Sequence, residues 1–238
     1  MVDIHTHILP GLDDGAESME TAISMAAIAA GEGIRHMAAS SHGNYYPYTI
    51  EDYYHTFSKL QTAIEERGIP LKLYPGMEIF LDDDVLEQVE KGQLLTLNHT
   101  NYLLVEFDFD ESVRNVIRRL SELWAGGYRV ILAHPERYRF IKNDRELVYY
   151  LAEQDCVFQI NAGSLWGSFG EAARRLSGWL LSEGLVSVVA TDAHDAVYRP
   201  PAVKDTERRL RDRYPEEQVH LWLSENPGRI LKGHPVIR

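Results

Sequence analysis

The sequence reads as an α/β chain of repeated βα units around a largely parallel sheet that closes, or nearly closes, into a barrel. Two observations predict this. Seven short apolar runs rich in β-branched residues alternate with longer stretches of helical periodicity. Several runs, such as Val186-Ser187-Val188-Val189-Ala190, are almost continuously apolar, as strands buried on both faces are. At 238 residues the chain fits one such domain, residues 1–238, with no linker, fixed repeat or low-complexity tract to divide it.

In chain order, Val2 to His5 is the first strand. Glu17 to Gly33 follows as a helix, with Ala, Ile and Met at helical spacing and a stop at Gly31 and Gly33. Arg35 to Ser40 is the second strand, and the helix of Tyr53 to Arg67 ends before Gly68-Ile69-Pro70. Leu71 to Met77 and Tyr102 to Phe107 are the third and fourth strands, and the helix of Ser112 to Ala125 stops at Gly126-Gly127. Arg129 to Ala133 is followed by a helix over Asp144 to Glu153, and Val157 to Asn161 by one over Glu171 to Glu183. Val186 to Thr191 is the seventh strand. Helices over Val203 to Tyr214 and Glu216 to Ser224 close the series.

Hydrophobic residues make up 45% and charged residues 25% of the chain, a globular balance that excludes disordered, collagen-like and disulfide-scaffold classes. Asp and Glu number 36 against 24 Lys and Arg, and the resulting net charge of -12 argues against nucleic acid as a partner. The single cysteine, Cys156, allows no internal disulfide. The start Met1-Val2-Asp3-Ile4-His5 lacks a secretory pattern, and no 18 apolar residues run together, so a cytoplasmic protein without direct membrane insertion is expected.

In a βα barrel, reacting side chains gather at the carboxyl ends of the strands, and six of the seven predicted ends here carry His or a carboxylate. His5-Thr6-His7 closes the first run. Residues two apart on a strand share a side, so both imidazoles can face one cation, although an H-x-H alone also describes ordinary polar strand ends. The other ends carry His42, Glu78, Glu106, His134, and Asp192 with His194. Five of the chain's 10 histidines therefore sit at these ends. Glu106 ends Tyr102-Leu103-Leu104-Val105, where a carboxylate needs either a cation or a buried arginine partner, and Glu78 presents the same choice after Pro75-Gly76. Asp14, on the loop after His7, can add another oxygen, whereas Asp13 reads as a turn or helix cap. Five imidazoles and four carboxylates are too many for one ion. They suit two or three ions bridged by carboxylates, with Mn²⁺, Fe²⁺ or Zn²⁺ fitting better than Mg²⁺.

Across nearly its whole length the chain resembles the polymerase-and-histidinol-phosphatase (PHP) superfamily of trinuclear metal phosphoesterases. Within it, the chain looks like the bacterial manganese-dependent protein-tyrosine phosphatases that partner the tyrosine kinases of capsule and exopolysaccharide synthesis. The motifs carrying the resemblance are Asp3-Ile4-His5-Thr6-His7-Ile8-Leu9-Pro10-Gly11-Leu12-Asp13-Asp14-Gly15, Ser41-His42, Gly76-Met77-Glu78-Ile79, Ala133-His134-Pro135-Glu136-Arg137-Tyr138, Gln159-Ile160-Asn161, Ala190-Thr191-Asp192-Ala193-His194 and Arg199-Pro200-Pro201. The resemblance implies a distorted seven-stranded (β/α)7 TIM-like barrel. It implies three divalent ions, Mn²⁺ with Fe²⁺ or Zn²⁺ as substitutes, held by His5, His7, Asp14, His42, Glu78, Glu106, His134, Asp192 and His194. Arg137 and Arg199 are implied as phosphate-binding, catalytic arginines, and the implied partner is a phosphotyrosine protein, a membrane-associated bacterial tyrosine kinase.

The residues themselves support part of this. Arg137 follows His134 by three residues, and a guanidinium fork matches phosphate oxygens, although a pair with Glu136 or Asp108 competes. Arg199 precedes the stiff Pro200-Pro201, and a surface arginine at a helix start is the competing account. The expected chemistry is phosphomonoester hydrolysis, in which a hydroxide shared by two ions attacks phosphorus; a water, Asp192 or His194 is available to assist the leaving group. Cys156 lacks a Cys-x5-Arg loop and reads as a buried thiol, which excludes a cysteine-based phosphatase. Amidohydrolases on the same kind of barrel want a bridging lysine where this chain has Glu106.

Histidinol-phosphate or another small-molecule phosphatase, and a noncatalytic metal-bound regulator of a kinase, are the alternative functions. After His42 the loop Gly43-Asn44-Tyr45-Tyr46-Pro47-Tyr48 departs from basic relatives, and its tyrosines either stack a phosphotyrosine ring or cover the barrel rim. Tyr53-Tyr54 and Tyr149-Tyr150 fall in helix patterns as half-buried packing. Oligomeric state is open to a homo-oligomer.

Overall fold

Parallel strands β1 (Val2–Asp3), β2 (His36–Ala39) and β3 (Lys72–Pro75) form one sheet in the computed structural model, which describes residues 1–238. Strands β4 (Glu78–Phe80), β5 (Tyr102–Glu106), β6 (Arg129–Ala133), β7 (Val157–Asn161) and β8 (Val186–Ala190) form a second, also parallel. Each predicted run holds a strand, but a further short strand, β4, starts directly after the third run at Glu78, giving eight strands in place of seven. The run breaks at Gly76, where a Cβ would lie 2.6 Å from the Leu97 side chain and 3.3 Å from its Cα. The buried Tyr53 hydroxyl holds the break, accepting the Gly76 amide at 2.9 Å and donating to the Ala39 carbonyl at 2.7 Å. The sheets meet at two isolated parallel bridges, His42 with Glu78 and Thr6 with Ala193. Asp3 ties the second seam, its carboxylate accepting the Thr191 hydroxyl at 2.6 Å and the His5 amide at 3.2 Å.

Helices α1 (Met19–Gly31), α2 (Ile50–Glu66), α3 (Val85–Glu90), α4 (Val113–Ala125), α5 (Arg139–Asn143), α6 (Arg145–Glu153), α7 (Gly170–Ser182), α8 (Lys204–Arg211), α9 (Glu216–His220) and α10 (Asn226–Ile230) fill the connections. Their starts are set by caps. Ser18, Ser112 and Asp144 side chains accept amides of the first turns, and Thr49 with Asp52 forms a reciprocal capping box that starts α2 three residues before the predicted Tyr53. The short α3 and α5 were not expected from periodicity, and the predicted last helix passes through a π-helical turn, Leu221–Glu225, into α10.

Alternation along the strands sorts their side chains into two cores. Leu103, Val105, Val130, Leu132, Phe158 and Ile160 pack outward under the helices. Tyr102, Leu104, Ile131, Val157 and Val188 point inward, and Ile230 and Leu231 of the carboxyl-terminal segment pack with them. Following the same inner alternation upward leads to Glu106, Gln159 and Asn161, and just beyond β8 to Asp192. The apolar inner stripe therefore turns polar at the carboxyl ends.

Candidate metal centre

All nine residues singled out by type and spacing come together at this polar end. They fall into four overlapping groups, His7-Asp14-His42-His194, His5-His134-Asp192, His5-His7-Glu78 and His42-Glu78-Glu106, each with its donor atoms within 4.8 Å of one another. Glu78 is the hub. Its Oε2 lies 3.1 Å from His5 Nε2, 3.1 Å from His7 Nε2 and 3.5 Å from His42 Nδ1, while Oε1 lies 2.9 Å from His134 Nε2. Asp192 Oδ1 faces His5 at 3.4 Å, His7 at 3.5 Å and His194 at 3.5 Å. Glu106 has histidines, not an arginine, as neighbours: His42 at 3.0 Å and His134 at 3.6 Å. Asp14 sits at the rim, its side chain 51% exposed, 3.5 Å from His42 and 3.6 Å from His194.

Further contacts orient these donors, and the sequence reading gave their residues no site role, although Gln159-Ile160-Asn161 is among the motifs that carry the resemblance. His5 Nδ1 lies 2.7 Å from Gln159 Oε1, Gln159 Nε2 donates to Asn161 Oδ1 at 2.9 Å, and Asn161 Nδ2 donates to Asp192 Oδ2 at 2.5 Å. This amide relay occupies the one strand end without a histidine or carboxylate. Gln159 and Asn161 are two apart, and that alternation was the available signal. Asp13, expected as a turn or helix cap, accepts the Gly15 amide at 3.0 Å as a turn residue does, but its Oδ2 is also 2.8 Å from His7 Nδ1 and accepts the His42 amide at 2.9 Å. Ser18 provides the cap instead. With Nδ1 of His5 and His7 engaged this way, both Nε2 atoms turn toward Glu78 and lie 3.4 Å apart.

The backbone contributes as well. Gly15 packs against His7 so closely that a Cβ would fall 2.1 Å from the His7 carbonyl oxygen. His134 and Asp192 adopt φ of 35° and 52°, a left-handed conformation costly for residues with a Cβ and of the kind that gathers at functional sites.

Burial penalises every charge here, and the partners decide the outcome. Burial opposes charging of His5, but Glu78 and Asp192 overcome it and lift its pKa to about 9. Against the same burial, the Asp13 carboxylate raises the His7 pKa, and hydrogen bonding to Glu106 raises that of His42. Glu78 is held below the usual carboxylate range, because the His5 charge and hydrogen bonds from His134, His5 and His7 outweigh its desolvation. His194 goes the other way: burial and the neighbouring His7 charge push it down to about 3, leaving the ring neutral with a lone pair to offer.

Arg137 and Arg199 border the cluster. Arg199 Nη2 lies 2.8 Å from Asp192 Oδ2 and donates to the Asp192 carbonyl at 3.0 Å, and Arg137 Nη1 lies 3.8 Å from the same Oδ2, so the expected competing pairs with Glu136 or Asp108 do not form. Glu136 is buried, with its pKa raised by burial, and accepts the Asn161 amide at 2.9 Å. The Arg137 guanidinium lies over the rings of Phe109 and Phe169 at 4.6 and 4.8 Å, and Phe169 also lies 5.3 Å from that of Arg199. In the tyrosine loop, the Tyr46 ring stacks near His42, the Tyr48 hydroxyl donates to the His42 carbonyl, and Tyr45 is 65% exposed. Tyr53 is fully buried, not half-buried. Cys156 is buried and its thiol is pushed up to about 12 by desolvation, as an inert core cysteine should be.

The donor set fits divalent cations: imidazole nitrogens and carboxylate oxygens share one small volume, and a bound cation would take the place of the protons that the carboxylates otherwise hold on His5, His7 and His42. Comparison with known proteins agrees. The chain is 35% identical over 240 residues to the tyrosine-protein phosphatase YwqE of Bacillus subtilis (strain 168), covering 100% of this chain and 94% of that protein. It superposes with a TM-score of 0.93 and 35% identity on a chain from the crystal structures of YwqE from Bacillus subtilis and CpsB from Streptococcus pneumoniae, described as unique metal-dependent tyrosine phosphatases, over 100% of this chain and 97% of that one. A dihydropyrimidinase from Brevibacillus agri shares the fold, with a TM-score of 0.63 at 10% identity over 98% of this chain and 71% of its own. Residues 1–232 match the family described as capsular polysaccharide synthesis, CpsB/CapC, and the chain belongs to that family.

Proposed function

We propose that this protein is a metal-dependent protein-tyrosine phosphatase, with residues 1–238 acting as one domain. The convergence of five imidazoles and four carboxylates beside two arginines, at the carboxyl ends of the strands, carries the reading. The two bridged sheets are taken as one distorted seven-stranded barrel, in which β3 and β4 count as a strand interrupted at Gly76. His5, His7, Asp14, His42, Glu78, Glu106, His134, Asp192 and His194 would hold three divalent ions. Mn²⁺ is the first choice for such a mixed donor set, and Fe²⁺ or Zn²⁺ is compatible. When bound, such ions lower the pKa of water toward neutrality and neutralise charge on phosphoryl oxygens.

The chain supplies the rest. Glu78 spans the groups of donors, while Gln159, Asn161 and Asp13 fix which imidazole nitrogens face inward. Arg137 and Arg199 bind phosphoryl oxygens, their planes braced by the phenylalanine rings. A phenolate leaves with a pKa of about 10, so the site needs no strong general acid. The named relatives support phosphotyrosine as the substrate class, and a membrane-associated tyrosine kinase of capsule synthesis is the expected partner, met from the cytoplasm. No helix here is long and apolar enough to cross a membrane.

Elemental analysis combined with hydrolysis of phosphotyrosine peptide, phosphoserine peptide and histidinol phosphate, with and without Mn²⁺, tests the proposal. Three ions per chain and a preference for phosphotyrosine are expected. Fewer than two ions would sink the multinuclear reading, and full occupancy without turnover would favour the kinase-regulator alternative. Arg199→Ala should lower turnover about a hundredfold, roughly 2.7 kcal/mol of transition-state stabilisation, with metal content intact. Unchanged kinetics would refute its role.

A further inference from the structure

Two cavities border the donor cluster, and their linings differ in sign. One, of about 460 Å³, shares Asp14 and His194 with the cluster and adds Glu17, Glu20 and Asp195. The other, of about 340 Å³, shares Arg137 and lies between α5 and the start of α7. Arg139 and Lys142 of α5 line it, three residues apart and so on one face of the helical turn, with Phe109, Phe169 and Ala173 as apolar wall. In a chain of net charge -12, three cations around one cavity run against the overall balance.

Two of the lining cations, Arg139 and Lys142, have little else to do. Arg139 pairs only with Asp110 at 2.9 Å, an exposed pair of the kind worth little in water, and Lys142 has no such partner. Glu136 also lines the cavity, but one of its oxygens is spent on the buried Asn161 amide. Arg137 joins cavity to cluster, since its Nη1 reaches within 3.8 Å of Asp192 Oδ2. A group one or two residues from a bound phosphotyrosine can reach the α5 side, because an extended chain advances about 3.3 Å per residue.

We propose that this cavity is a subsite for an acidic side chain flanking the phosphotyrosine, so that the preferred substrate carries Asp or Glu within two residues of it. The inference rests on the phosphatase reading. The acidic cavity bordered by Asp14 and His194 sharpens it by disfavouring the same side chain there, leaving the cavity beside Lys142 as the favourable one.

The test uses Mn²⁺-loaded enzyme and matched phosphotyrosine peptides with Asp or Lys placed one or two residues to either side. For the wild type, the best Asp peptide should exceed its Lys counterpart about tenfold in kcat/KM at low salt, with the ratio shrinking as ionic strength rises, because exposed charges are screened. Lys142→Glu should bring that ratio to one or below. Equal rates for all wild-type peptides at low salt, or a Lys142→Glu ratio equal to that of the wild type, would overturn the subsite. Because each ratio is taken within one protein, a general loss of activity or stability in the variant does not mimic the result. p-Nitrophenyl phosphate, which has no flanking residues, separates the two levels. If it and the peptides are turned over without charge preference, the subsite alone fails; if neither is hydrolysed, the phosphatase reading fails and takes the subsite with it.

Discussion

The lower and upper halves of the inner stripe are built from the same strands in the same register, yet they obey opposite rules. Below, Tyr102, Leu104, Ile131, Val157 and Val188 interlock with Ile230 and Leu231, all nearly or wholly inaccessible to water. Above, equally buried positions carry Glu78, His134, Gln159, Asn161 and Asp192, and two of these adopt left-handed backbone conformations. Burying so many polar groups costs stability unless each finds a partner, and here one side chain's partners are largely the other donors. The difference teaches that the barrel separates its tasks along the strand axis. Packing at the amino end holds the strand ends in place, and the carboxyl end uses that rigidity to keep a strained, charge-dense cluster assembled.

If the tasks are separate, substitutions at the two ends should fail in different ways. The largest effect is expected from Glu78→Gln. Losing the shared charge among four imidazoles should cost at least about a thousandfold in turnover, roughly 4 kcal/mol, together with bound metal measured by elemental analysis. A Glu78→Gln protein with full metal content and turnover within tenfold of wild type would break the comparison from above. Leu104→Ala tests it from below. Truncating this fully buried side chain should cost about 3 kcal/mol of stability, seen as a lower denaturant midpoint, through lost burial and the cavity left behind. Metal content and turnover at low temperature should stay near wild type, so metal loss without unfolding in Leu104→Ala would show that the two ends are not separate.

The same division decided what the sequence could reveal. Strand ends bearing His, Asp or Glu are legible because those residue types are conspicuous after apolar runs, and Glu106 after Tyr102-Leu103-Leu104-Val105 is the clearest instance. Residues that serve the cluster through a neighbour are less so. Asp13 looks like any turn aspartate until His7 and His42 are folded against it, and Gln159 and Asn161 are ordinary strand amides without the Asp192 contact. Pro75-Gly76 marks a sharp turn within the third run, but the Leu97 contact that requires glycine there lies 21 positions along the chain and is not legible locally. Helices α3 and α5 span too few residues to show a period. The capping box of Thr49 and Asp52 was readable, but the predicted start followed the apolar pattern alone.

Phe169 lies furthest from any sequence signal and offers the subtlest probe of the upper half. It precedes α7, touches no candidate ligand's charge, and yet its ring lies 4.8 Å from the Arg137 guanidinium and 5.3 Å from that of Arg199. An aromatic face near two cations favours both electrostatically without consuming the N–H donors that the proposed phosphate contacts would use. Leucine keeps much of the apolar volume but removes the π face. Phe169→Leu should therefore lower kcat/KM and weaken competitive inhibition by inorganic phosphate, each about fivefold, near 1 kcal/mol, while metal content and melting temperature hold. Phe169→Trp, which restores a ring, should recover most of the loss. If Phe169→Leu binds phosphate as tightly as wild type, or if Phe169→Trp is no better than Phe169→Leu, the ring is only packing. The positioning of the arginines would then rest on Asp192 and on Phe109 alone.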